Sequence, residues 1–573
     1  MNRATLHTPV RGLTIRNSVW IFLGAILVGS LLYSPALHGR FVFDDDTLPF
    51  RQGIRNGSLA AWVTGVRPVL MFTYWVNYNL SGENPYSYHF LNLFIHAANS
   101  FLVFLILIHV LALGGWPERK RYAGAALGAT VFLVHPLATE SVSYIAGRSE
   151  SLAGFFMLAA YIVFLDARPM AITWRRSILV VTLFALAVAT KENAIALAGV
   201  LLLTDLMWPK PFSFEGVRRN YRVYLTMSAA IPIAAMWVYH ILSGAETAGF
   251  SIKGFTWTQY AFTEGRAIFE YIRLAVFPIG QSVDHDFAVS QSITSYGAVY
   301  FLALLAGLLA AAVLWRARYP LACFGLLLFL VLLAPTSSVV PIADPLVERR
   351  LYLPILGLIL IGCQAAAHAR WSASLISAAL AMLILYSALC YERNHLWSKP
   401  EQVWAAAARD SRTKGRPYLG LAESLIAVNR CAEAIPYLER GEQLMPRDFG
   451  IQLAWGKILE CQGKREQALA RLERAAAIVP NSAVYQLIGL LYGEMGRTGE
   501  AGAALLKAAL LGPRNANAHS ALGIWYESVG NTVEAEREYR ESLAIYPYST
   551  EALAGLDRVQ RFAASHRPLP TTP

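Results

Sequence analysis

Cysteine is scarce in this chain of 573 residues: there are five, and no two of them make a metal-like pair. Cys323, Cys363 and Cys390 lie in apolar stretches and read as small core residues, so neither a zinc module nor a disulfide-dense fold is expected. A basic module is lacking too. The formal charge is +11, but residues 1–400 hold 29 Lys/Arg against 19 Asp/Glu, while 401–573 hold 20 against 19. The excess therefore sits among membrane-flanking loops, and nucleic acid is not an expected partner. No small-residue cleavage site precedes Arg40, so the first apolar stretch is expected to remain as an uncleaved helix. The spans show no internal repetition of the kind transporters carry.

What is abundant is hydrocarbon. The chain is 55% hydrophobic, and apolar runs recur from Val19 to Cys390. The spacing predicts an all-α, polytopic membrane bundle of about eleven spans, near 19–37, 90–113, 122–134, 150–166, 177–190, 193–208, 223–242, 297–315, 320–334, 351–369 and 372–390. A cytoplasmic N-terminus puts Arg119-Lys120-Arg121, Arg175-Arg176, Arg218-Arg219, Arg316, Arg318 and Arg370 on the cytoplasmic side. An odd number of spans then carries the C-terminal region to the outer compartment.

After about Lys399 the long runs stop. Prolines 446, 480, 513 and 547 are spaced by 34, 33 and 34 residues, the period of tetratricopeptide repeats. Tyr485, Gly489, Tyr492, Gly496, Ala501, Leu505, Ala508 and Pro513 carry the pattern in one copy. The expected organisation is a membrane domain at 1–395, a linker helix at 396–414, an α-solenoid of about four repeats with a capping helix at 415–563, and a disordered tail at 564–573. Such an array docks a peptide or a partner helix. Cys431 and Cys461 fall on neighbouring antiparallel helices of it, within disulfide reach if the tail faces an oxidising compartment.

Ionised side chains at bilayer depth cost at least about 2.5–3.5 kcal/mol, so those near the outer ends of the spans require a reason. They are Asp44-Asp45-Asp46, Arg67, His89, His135 with Glu140, Arg148, Lys191-Glu192, Asp284-His285-Asp286 and Asp344 with Glu348-Arg349. The bland readings are a helix end at His135-Pro136, a neighbouring ion pair at Lys191-Glu192, and interfacial snorkelling at Glu348-Arg349. All these residues face one compartment in the expected topology, which favours a single cavity lined with acids and bases.

Phe43-Asp44-Asp45, His135-Pro136-Leu137-Ala138-Thr139-Glu140, Gly147-Arg148, Lys191-Glu192 and Glu348-Arg349-Arg350-Leu351-Tyr352-Leu353-Pro354, followed by the repeats, resemble the transmembrane and tetratricopeptide-repeat O-mannosyltransferases and their bacterial relatives. These are C-type polytopic glycosyltransferases. One departure is Arg350, where the family reads Tyr. The resemblance implies a sugar, mannose or another hexose, carried on a polyprenyl phosphate and moved by an inverting displacement to a hydroxyl of a protein acceptor outside the membrane. It implies Asp45 or Asp44 as general base and Arg349, Lys191, Arg148 and Arg67 as the cations that receive the departing phosphate. His135 and Glu140 either order the loop or hold the acceptor. His89, Glu192, Glu348, Asp284, His285 and Asp286 complete the expected pocket. No cofactor is assigned: a divalent metal between carboxylates and phosphate is compatible with this set, but no spacing specifies one. Transfer to a lipid or polysaccharide, and a non-catalytic repeat scaffold anchored in the membrane, are the rival readings. A bacterial inner membrane with periplasmic repeats is the expected location.

Overall fold

The computed structural model describes residues 14–50, 58–168, 170–208, 212–244, 247–250, 252, 254–368 and 372–565. The expected tail lies outside these residues from 566 onward. Helices account for nearly all regular structure, and among the described residues the sole β feature is one isolated bridge, Ala248 to Ile342. The chain divides into two compact units, Met1–Phe41 with Val63–Lys399, and Val42–Trp62 with Pro400–Pro573.

In the first unit a helix stands at each of the eleven expected positions. Six are long and apolar enough to cross a membrane: Ile15–His38, Pro85–Leu113, Arg148–Asp166, Tyr221–Ile241, Ser295–Leu314 and Ala373–Trp397. Glu118–Val134 with Pro136–Val142, bent by 50°, makes a seventh if counted as one span. The helices Trp174–Thr190, Ala196–Met207, Pro320–Leu333 and Ile355–His368 are 12 to 17 residues long, short of the roughly 20 that span hydrocarbon unaided. The figure of eleven counts apolar helices, therefore, rather than full-length spans.

Pro85–Leu113 is the central post: Val103, Leu107, Phe132, Tyr161, Leu201 and Leu360 are buried in the core around it. Pro320–Leu333 and Ile355–His368 cross backbone to backbone, because a Cβ on Gly325 would strike the Gly357 carbonyl, and the reverse also holds. One helix escaped the hydropathy reading. Trp257–Val276 is amphipathic and outside the spanning set, opened by a capping box between Thr256 and Gln259.

In the second unit, helix pairs begin at Arg416–Ile426 with Cys431–Leu444 and end at Ala516–Ser528 with Thr532–Ile545; Thr550–Ser565 follows. Gly489 lies against Leu505, and Gly523 and Gly555 both lie against Tyr539; a Cβ at any of these would collide. A disulfide joins Cys431 to Cys461, whose Cα atoms are 6.6 Å apart. The segment expected as a linker contains the helix Pro400–Asp410, whose Val403, Trp404 and Ala407 are buried and whose Trp404 ring fills the space beside Gly420. It is part of the array. The same compact unit takes in Val42–Trp62, which the sequence boundary leaves with the membrane domain: the Phe43 ring meets Trp404 edge to face at 5.2 Å and lies under the Arg416 guanidinium at 5.6 Å.

Candidate active site

Four interruptions of helix create the polar end of the first unit. Pro136 disfavours helical backbone at the residue before it, and His135 is extended, with φ −69° and ψ 127°. Its Nδ1 accepts from the Leu137 amide at 3.2 Å and its Nε2 donates to the Ala275 carbonyl at 2.9 Å, which fixes the neutral tautomer. His135 thus closes the helix and ties it to the end of Trp257–Val276. The short helix Thr139–Val142 that follows carries Glu140, 2% exposed. Gly147 packs so closely on the Glu140 carbonyl that no side chain fits there.

Arg148 has no exposed surface. Its guanidinium donates to Asn92 Oδ1 at 2.6 Å, Asn77 Oδ1 at 2.8 Å, Thr73 Oγ1 at 3.1 Å and the Tyr88 carbonyl at 2.9 Å, with the Tyr74 ring 4.4 Å away. It braces Pro68–Ser81 against Pro85–Leu113.

Lys191 is also extended, with φ −156° and ψ 133°, and this turns Lys191 and Glu192 toward different partners. They do not form the neighbouring pair that adjacency suggests. The Lys191 ammonium meets Glu150 at 2.6 Å, while Glu192 accepts twice from Arg67, at 2.6 and 3.1 Å. Asn193 donates to the second oxygen of Glu150 at 3.1 Å. Burial, joined by the positive charge of Arg67 and Arg349, pulls the Lys191 ammonium below its ordinary pKa against the opposing pull of Glu150. Burial would raise Glu192, but Arg67 outweighs it and holds the carboxyl below the usual range.

The turn Glu348–Leu351 supplies the fourth interruption. Glu348 is 1% exposed and does not snorkel; it accepts from the Ser282 amide at 2.6 Å, Gln281 Nε2 at 2.8 Å and His285 Nε2 at 2.8 Å. Asp284 is buried and Asp286 half-buried in the same 281–286 loop. Arg349 gives both its amide, at 2.9 Å, and its guanidinium, at 2.6 Å, to Glu140. Arg350 turns elsewhere, to the carbonyls of Asp344 at 2.7 Å and Pro345 at 2.9 Å, with Glu264 at 3.8 Å.

Three cations from three segments thus stand opposite three carboxylates: Arg67 with Glu192, Lys191 with Glu150, Arg349 with Glu140. The charge of Arg349 acts on both Lys191 and Arg67, so the pairs form one electrostatic group. Side-chain exposure is 33% for Arg67, 12% for Lys191 and 23% for Arg349, so each of the three keeps some exposed surface and Arg148 keeps none. His89 donates to the Gly39 carbonyl at 3.0 Å and is buried. In the second unit, Asp45 is 1% exposed and accepts from the Val42 amide at 2.9 Å within a turn where Phe43 has φ +58°; Asp44 is exposed. The side chain of Asp46 lies outside the described residues. Among the described residues, no three His, Cys, Asp or Glu gather as a metal site.

Glu150 and Glu264 were missed by sequence reasoning. Glu150 sits in the first turn of its helix, where acids are common, and only its partner Lys191 marks it.

No protein-family model matches the chain. It is 23% identical over 450 residues to protein O-mannosyl-transferase TMTC3 of Mus musculus, covering 72% of this chain and 48% of that protein. It is also 23% identical over 430 residues to protein O-mannosyl-transferase F38B6.6 of Caenorhabditis elegans, covering 69% and 58%, and 23% identical over 499 residues to TMTC1 of Homo sapiens, covering 74% and 55%. The chain spans about half the length of these curated relatives, and they are of the kind its motif order resembles. Among solved structures, the thermophilic tetratricopeptide-repeat protein TTC0263 of Thermus thermophilus matches 31% of this chain and 95% of its own at 20% identity and TM-score 0.26. YrrB, a repeat protein with an unusual peptide-binding site, matches 29% and 87% at 15% identity and TM-score 0.26.

Proposed function

We propose that this protein is an integral-membrane glycosyltransferase that moves a sugar, mannose or another hexose, from a polyprenyl phosphate to a hydroxyl of a protein acceptor. The observation that carries this reading is the group formed by Arg67, Lys191 and Arg349, each partly exposed and each matched by a carboxylate. Such pairs hold three positive charges ready for a phosphate without leaving any of them unpaired beforehand. The similarity to O-mannosyl-transferases supports the same chemistry.

Asp45 or Asp44 takes the proton of the acceptor hydroxyl as its oxygen bonds to the anomeric carbon. The bond from that carbon to the phosphate oxygen breaks from the opposite face, its electron pair staying on the phosphate, and configuration inverts. Arg349, Lys191 and Arg67 stabilise the released polyprenyl phosphate. Arg148, with its guanidinium committed inside the fold, acts as a brace, and His135, His89, Glu348 and His285 position the turns. The repeats dock the acceptor or an assembly partner. The disulfide supports placing them in an oxidising compartment, a bacterial periplasm beside the inner membrane.

The test is transfer from polyprenyl-phosphate mannose to Ser- or Thr-containing proteins by the full chain in proteoliposomes, with the anomeric configuration of the product read by NMR. Use of a nucleotide sugar alone, or a product of retained configuration, would overturn the reading.

A further inference from the structure

At the end of the first unit away from the candidate site, four helix ends border a polar cavity of about 320 Å³. Trp116 follows Pro85–Leu113, Lys120 stands in the first turn of Glu118–Val134, Arg318 precedes Pro320–Leu333, and Gln364 and Ala367 lie near the end of Ile355–His368. Tyr88, beside Arg148, and Leu113, beside this cavity, are about 38 Å apart along one helix, more than the ~30 Å of a hydrocarbon core. The cavity therefore belongs to the opposite membrane face from Arg67, Lys191 and Arg349.

The segments 114–121 and 316–320 that border it carry Arg119, Lys120, Arg121, Arg316 and Arg318 against a single acid, Glu118. Other cations at this end are matched by carboxylates, Arg168 by Asp205 and Arg176 by Asp166. Arg318 is exposed, and among the described residues it meets the Tyr319 ring, at 5.4 Å, and no carboxylate. Gln364 is buried and accepts the Leu321 amide at 2.9 Å, which fixes two of the helix ends and keeps the wall polar. Aromatic rings gather here as well: Trp116 is buried, Tyr122 and Tyr319 are half-buried and Trp315 is exposed, the kind of residue that collects at headgroup level. Leu314, 74% exposed, extends apolar surface beside them.

From this placement we infer that the cavity binds the phosphate headgroup of an anionic phospholipid, in the leaflet opposite the three cations of the candidate site. The inference does not depend on the proposed function. A volume of 320 Å³ is at the low end of the roughly 300–1,000 Å³ of ligand sites, enough for a headgroup without its acyl chains. Lys120 and Arg318, from different helices, supply its counter-charge, and the chains run along the surface at Leu314. A soluble phosphate would meet the same cations, but the rings and the exposed leucine favour a ligand anchored in the bilayer.

The test is native mass spectrometry of the full chain in neutral detergent, titrated with dioleoyl phosphatidylglycerol or phosphatidylcholine. One phosphatidylglycerol should bind at least about tenfold more tightly than phosphatidylcholine. Lys120→Gln with Arg318→Gln should weaken phosphatidylglycerol about tenfold or more and leave phosphatidylcholine unchanged. Ala367→Phe, at a half-buried lining position, fills the cavity without removing charge and should weaken it too. Arg175→Gln with Arg218→Gln, two exposed cations outside the cavity, should change neither lipid. Equal weakening by both double variants would reduce the effect to general surface charge and overturn the inference. Undiminished binding in Ala367→Phe, or equal affinity for the two lipids, would overturn it as well. Displacement of phosphatidylglycerol by excess inorganic phosphate would assign the cavity to a soluble anion instead.

Discussion

Arg349 gives two hydrogen bonds to one carboxylate, its backbone amide to one oxygen of Glu140 at 2.9 Å and its guanidinium to the other at 2.6 Å. The carboxylate thereby fixes both the turn and the direction of the cation. Removing one partner of a buried pair costs about 3–5 kcal/mol. Glu140→Ala should lower the melting temperature of the detergent-solubilised protein and raise donor KM together. Arg349→Lys should keep the backbone bond to Glu140 and much of the stability but lose the planar guanidinium whose remaining donors are available to a phosphate, lowering kcat more than it alters melting.

Asp45 accepts a backbone amide that an asparagine oxygen can also accept. Asp45→Asn should therefore fold. If it is the base, transfer should fall by about 10²–10⁴-fold, with donor affinity measured by isothermal titration little changed. Asp44→Asn is the paired measurement. Full activity in both single variants and in the double variant would leave the mechanism without a base.

The disulfide closes a loop of sequence separation 30, for which chain entropy gives a stabilisation of about 3–4 kcal/mol. Cys431→Ser with Cys461→Ser should lower the thermal transition of the repeats, followed by the fluorescence of Trp455, while melting of the membrane helices shifts less. Alkylation before and after reduction, read by mass spectrometry on protein from intact membranes, should show both thiols blocked only after reduction.

Glu264 lies on Trp257–Val276, outside the spanning set, at 1% exposure. Burial raises its carboxyl from about 4.5 to about 7, with Arg350 pulling in the opposite direction. Between those values the folded protein holds a proton that the unfolded chain has released. Stability from this group is therefore greatest below pH 4.5, declines as pH rises to 7, and levels off above. Glu264→Gln should flatten that slope and be the more stable form at pH 8, by melting temperature across pH 5 to 8. Arg350→Tyr should move the decline to higher pH.

The apolar helices and the repeat period were legible because each has a periodicity set by its own residues: hydrocarbon length in one case, 33- to 34-residue spacing in the other. Partner choice was not. Lys191 and Glu192 look like a pair in the sequence, and only the extended backbone at Lys191 sends them to Glu150 and Arg67. Arg148 reads as a free cation, yet the asparagines that consume it are 56 and 71 residues away. Trp257–Val276 alternates polar and apolar residues at helical spacing, which a search for continuous apolar runs passes over; the capping box at Thr256 and Gln259 was the available signal. Glu264 acquires its interest from Arg350, which local patterning could not reveal.

Trp404 serves two neighbours: its ring occupies the gap left by Gly420 and receives the edge of Phe43. The aspartate turn and the first repeat thus share a keystone, and neither can be redesigned alone. A chimera carrying a foreign array inherits this turn intact only if Pro400–Asp410 travels with it.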